Sequence, residues 1–158
     1  MGAVFACLGR FAIILLGYAA ASLAASAFLH LVSLGALGWT ADEAPFVLES
    51  TVFSIPFIAL FVAYFGFIPA MGAILLAEFI GARDLLFHAL AGAAVAIVVI
   101  GFGWQAADPE AVFLAEPLMA MTIIGAGLVG GVAYWAVAGR LAGNWRRNGL
   151  QDPISPAP

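Results

Sequence analysis

Glu78, Arg83, Asp84 and His88 fall within one short stretch, EFIGARDLLFH, where both charge signs and an imidazole meet between two long apolar runs. A carboxylate and an imidazole this close could hold or pass a proton. An ionisable group at membrane depth is costly, and so points to a function. The same four residues also suit a turn between helices. Asp84 is placed to cap the next helix, His88 lies four residues on and therefore on the same face, and opposite charges can pair. The group is therefore either a structural closure of the turn or a protonatable gate or partner-docking knot.

A second polar set precedes it. Tyr18, Ser22, Ser26, His30 and Ser33 recur mostly every four residues, which on a helix confines them to about a third of the circumference. In hydrocarbon such groups turn towards a neighbouring helix or trapped water. The stripe is expected to point inward, as packing glue among small alanines or as a hydrophilic path.

Two histidines raise the question of a haem. His30 lies roughly 28 Å beyond the start of the first apolar helix, whereas His88 enters by only about 5 Å from the same side. One iron does not bridge that separation. Cys7 stands alone and no HxxxH or CxxC spacing occurs, so neither a metal nor a cofactor is expected. Phosphate-binding glycine loops, a GxSxG elbow and paired acids within a helix core are missing too. No residue is assigned a catalytic role, no enzymatic activity is expected, and nucleic acid is not an expected partner.

What must position these residues is membrane-crossing helix. Hydrophobic residues make up 65% of the 158, charged residues 9%, and mean hydropathy is +1.13. Such a chain cannot cover a water-exposed surface, and its apolar runs are long enough to cross a bilayer. The expected fold is all-α: an integral membrane four-helix transmembrane bundle of two antiparallel hairpins. Its helices fall at about 11–35, 52–77, 85–104 and 117–138. One domain then covers 1–147, and the Pro-rich residues 148–158 read as a disordered tail. The first run opens like a signal peptide, but its apolar pattern continues past the length of one, so an uncleaved anchor is expected. Asp42, Glu43, Pro45 and Glu49 read as a loop, with Ser50 or Thr51 capping the second helix. Pro56 and Pro69 make kinks expected there. Phe53, Phe57, Phe61 and Phe65 form a stripe of lipid-facing or packing type.

Gly127 and Gly131 form a GxxxG pattern in the fourth helix, and Gly139 and Gly143 repeat the spacing beyond it. The pattern argues for close helix contact without naming the partner. Arg140, Arg146 and Arg147 suit anionic lipid headgroups or simply fix topology. All five arginines fall on one side of a four-span chain, while six acids and no basic residue occupy the two opposite loops. That distribution predicts both termini on the cytoplasmic side.

Two segments, PAMGAILLAEFIGARDLLFHALAGAA (residues 69–94) and GGVAYWAVAGRLAG (residues 130–143), resemble small four-span inner-membrane proteins of alphaproteobacteria. Pro69, Glu78, Arg83, Gly92, Tyr134, Trp135, Gly139 and Arg140 carry the resemblance. It implies the topology and a bacterial inner membrane, and carries no activity with it. The expected function is a structural or accessory subunit, bound by lipid and by a membrane-protein partner or a second copy through the small-residue faces of helices one and four. The alternative is a small transporter or channel using the Tyr18-Ser22-Ser26-His30 stripe and Glu78.

Overall fold

The computed structural model describes residues 2–37, 44–106 and 117–143. Within them the chain forms α1 (Gly2–Leu37), α2 (Ala44–Ile80), α3 (Leu85–Ala106) and α4 (Pro117–Val137), then a 3-10 turn at Gly139–Leu141. No strand occurs among the described residues. Each of the four helices holds a segment long and apolar enough to cross a membrane. In hydrocarbon the backbone must satisfy its own hydrogen bonds, and a helix does so without help from neighbours. The protein is a multi-pass membrane protein with a four-helix bundle fold.

Two helices begin earlier than their sequence suggests. α1 starts at Gly2 rather than near residue 11, so Arg10 lies inside the helix instead of marking its start. Ala3, Phe5, Ala6 and Leu8 are as compatible with helix as the residues after Arg10. α2 starts at Ala44 rather than near residue 52, absorbing Pro45, Glu49, Ser50 and Thr51. A proline in the first turn removes an N–H that has no helical partner anyway, so Pro45 begins the helix instead of excluding it. Pro56 and Pro69 lie inside α2 without ending it. The apolar span within α2 is 32 residues, about 48 Å as a helix. That exceeds the ~30 Å hydrocarbon core, so tilt or overhang must take up the difference.

α2 ends in a defined way. Gly81 takes a positive φ of 69°, and the Ala82 N–H reaches back to the Ala77 carbonyl at 3.0 Å. This is a Schellman closure, which a side chain at Gly81 would strain.

α1 packs against α2 and α4, and α3 packs against the same two, closing a ring of four. The contacts of α4 with α1 and α3 are the most extensive, and those of α2 are sparser. Glycine explains the difference. A Cβ on Gly92 of α3 would run into the Gly127 carbonyl of α4, and one on Gly131 into the His88 carbonyl of α3. Gly130 sits on the Ala21 carbonyl of α1, and Gly125 on the Phe28 ring. Helices meet this closely only where neither presents a side chain. The GxxxG partner is thus α3 of the same chain.

The buried residues are mainly small, including Ala25, Ala59, Ala77, Ala89, Ala96, Ala126 and Ala138. Most large apolar side chains point outward, with Ile74, Ile100 and Tyr134 as buried exceptions. Phe53, Phe57, Phe61 and Phe65 are all exposed, Phe53 by 80%. Hydrocarbon solvates them as well as a protein core would, so nothing drives them inside.

Candidate functional site

One end of the bundle carries a polar cluster that joins all four helices. Arg10 of α1 forms an ion pair with Glu78 near the end of α2, and the two side chains are only 16% and 14% exposed. Arg10 Nη1 also donates to the Ala138 carbonyl at 3.2 Å, just past α4. The second oxygen of Glu78, Oε2, accepts from the Gly143 N–H at 3.1 Å. A carboxylate that holds a guanidinium and a backbone N–H on separate oxygens fixes both of its neighbours.

Arg83 and Trp135 knit the turn after α2 to the end of α4. Arg83 Nε donates to the Ala142 carbonyl at 2.9 Å, and Trp135 Nε1 donates to the Arg83 carbonyl at 2.7 Å. The Arg140 guanidinium lies 4.4 Å above the Trp135 ring, a cation–π arrangement. Arg140 is exposed and free to reach outward. Arg146 and Arg147 lie outside the described residues, as do residues 148–158.

His88 stands one turn into α3 and is only 4% exposed. Its Nδ1 lies 2.9 Å from the Asp84 carbonyl, and a carbonyl only accepts, so Nδ1 carries the proton. The ring stacks on Tyr134 of α4 at 5.7 Å and 23°, and its far edge lies against Gly139. Nε2 is buried without a hydrogen-bond partner, and so is Nε of Arg10.

Glu78, Arg83, Asp84 and His88 lie at the same end of the bundle, with different partners from those their spacing suggests. Glu78 pairs with Arg10, 68 positions away. Asp84 is exposed and meets His88 through its backbone carbonyl. Arg10, Tyr134 and the carbonyls of Ala138 and Ala142 escaped sequence reasoning. Arg10 carried one signal: it is a lone cation with an apolar run on either side, so it needs an acid from another helix.

Along the seam between α1 and α2 lies the second polar set. Tyr18 donates to the Ala63 carbonyl at 2.5 Å, and Ser26, fully buried, donates to the Ile55 carbonyl at 2.7 Å. Ser22 is buried too, and donates to the Tyr18 carbonyl of its own helix at 3.0 Å. His30 Nδ1 lies 2.9 Å from the Ser26 carbonyl and Nε2 lies 2.7 Å from the Ser54 hydroxyl. Ser33 departs from the stripe and is exposed. It shares the stripe's angular position but lies past the last of these seam contacts.

Between the seam and the cluster is a cavity of about 110 Å³ to which all four helices contribute. Tyr18, Ser22, His88 and Tyr134 are its polar lining, and the remainder is Ala, Gly, Val, Ile and Phe. No group of three metal-ligating side chains is assembled among the described residues. The two imidazoles have separate neighbours, Ser54 for His30 and Tyr134 for His88. Comparison with protein-family models, with curated proteins and with solved structures found no match.

Proposed function

We propose that the protein moves a small solute across a bacterial inner membrane, with the arginine-bearing end towards the cytoplasm. One observation carries this. Polar groups succeed one another along the inner face of α1, from Arg10 with Glu78, past the cavity at Tyr18 and Ser22, to Ser26 and His30 with Ser54. Arg10 to His30 is about 30 Å of helix, the depth of the hydrocarbon core. Polar side chains at that depth are expensive, and a bundle held together only by packing has no need of so many.

The Arg10–Glu78 pair is the gate in this proposal. It ties α1 to α2 at one end, beside the cavity wall at Tyr134. α2 is the helix most sparsely held by its neighbours and the one that contains two prolines, so it is the element able to move. Parting the pair exposes the cavity to that end. Closed, the pair is held further by the Ala138 carbonyl on Arg10 and the Gly143 N–H on Glu78.

The accessory-subunit reading drew on small-residue faces of helices one and four. Of the latter, Gly127 and Gly131 meet α3, Gly139 meets His88 and Gly143 lies against Gly81, so these four glycines add nothing to it. The resemblance to alphaproteobacterial four-span proteins is compatible with either role. Purified protein in liposomes separates the two. Solute flux above that of empty liposomes, altered by Glu78→Gln, supports transport. A stoichiometric membrane partner on purification, with no flux, would overturn it.

A further inference from the structure

We infer that the solute is the proton, and that His88 relays it between the cavity and the Arg10–Glu78 pair; this rests on the transport function proposed above. The lining of the cavity limits the candidates first: its polar members are two tyrosines, a serine and an imidazole. A metal cation needs several oxygen ligands, and this wall is mainly aliphatic and glycine. A proton needs only a succession of groups that can accept and pass it on.

His88 is the group equipped to do so. Its Nδ1–H is committed to the Asp84 carbonyl, which leaves the Nε2 lone pair as the ring's basic site. That nitrogen is buried with no partner, an arrangement that is costly and therefore calls for a role. The second orphan is close by in the chain's own geometry. Arg10 Nη1 holds the Ala138 carbonyl, and the His88 ring edge lies against the next residue, Gly139. An unpaired donor, Arg10 Nε–H, and an unpaired acceptor, His88 Nε2, thus flank one two-residue stretch. Tyr134 stacks on His88 and is within Coulombic reach of both Arg10 and Glu78. The charged and titratable groups around His88 are therefore Tyr134 from α4, Arg10 from α1, Glu78 from α2 and Asp84 at the head of its own helix.

The transfer balances without any co-reactant. A proton on a cavity water bonds to Nε2, and the ring becomes an imidazolium. Arg10 repels that cation and Glu78 attracts it. As the Arg10–Glu78 pair parts, the Nε2–H bond breaks and the proton passes through an intervening water to the Glu78 carboxylate. Glu78 then releases it at the arginine-bearing end, the pair reforms, and His88 is neutral again.

The test uses the full chain in phosphatidylcholine–phosphatidylglycerol liposomes that enclose a pH-sensitive dye, with a valinomycin-clamped potassium gradient. Wild type should acidify the lumen faster than empty liposomes. His88→Asn puts an amide N–H where Nδ1 stood, keeping a donor for the Asp84 carbonyl, but cannot carry a proton, and should lower the rate about 100-fold with unchanged helical circular dichroism. An unaltered rate in that variant overturns the role of His88. Glycerol-driven swelling without proton flux overturns the proton and leaves transport standing. Neither flux nor swelling overturns both. Should His88→Asn fail to fold, His88→Phe, which fills the place of the ring without a basic nitrogen, decides, and a wild-type proton rate in that variant overturns the relay.

Discussion

His30 and His88 begin alike and end differently. Each imidazole sits on an apolar helix, and each donates from Nδ1 to the carbonyl four residues earlier, at 2.9 Å in both cases. Helix geometry alone sets that bond. The other nitrogen depends on the neighbouring helix. α2 brings the Ser54 hydroxyl to His30 Nε2, whereas α4 brings His88 a tyrosine face and a glycine, with nothing to bond Nε2. The satisfied histidine fastens α1 to α2. The unsatisfied one sits near a partly buried ion pair and a cavity, where a basic lone pair has something to do.

The contrast can be broken from its surroundings first. Glu78→Ala leaves Arg10 buried without its counter-ion. It should destabilise the bundle by about 3–5 kcal/mol, read as loss of the folded fraction in detergent titrations. Arg10→Met combined with Glu78→Leu should recover much of that loss, because no buried charge then remains. Gly131→Leu acts on the His88 half alone by forcing α4 away from the His88 carbonyl. Overpacking of this kind costs about 1–3 kcal/mol, and thermal melting should show it while the α1–α2 seam persists.

The same substitution at both histidines sharpens the comparison. His30→Phe loses a bond between helices and leaves the Ser54 hydroxyl only the Thr51 carbonyl of its own helix, so it should cost about 0.6–1.7 kcal/mol. His88→Phe removes an orphaned nitrogen as well as a bond to its own helix. Those effects offset one another, and stability should change by less than about 0.5 kcal/mol. Equal losses at the two sites, measured by the same unfolding titration, would erase the distinction drawn between them.

Much of the architecture was legible in the residues themselves. Apolar runs of about twenty residues must be helices in a bilayer, and four of them were plain. Helical periodicity also grouped the Phe53–Phe65 stripe and turned the Tyr18–His30 stripe inward, but it left the phenylalanines open between lipid and packing. Helix starts were less legible. Arg10 and Pro45 look like boundaries by composition, yet each suits a helix whose other residues favour continuing. Glycine spacing announced close contact, but α3 and a separate chain make equal use of GxxxG, so the partner was open.

Sequence by itself determined the solvent of this protein and the count of its crossings, because both depend on the length and polarity of local runs. Only the tertiary structure decided which polar group would meet which. Arg10 lies 68 positions from Glu78 and His30 lies 24 from Ser54, and no local rule links them. Hydrogen bonds and ion pairs act over a few ångströms, so helix packing alone chose their partners and left His88 Nε2 without one.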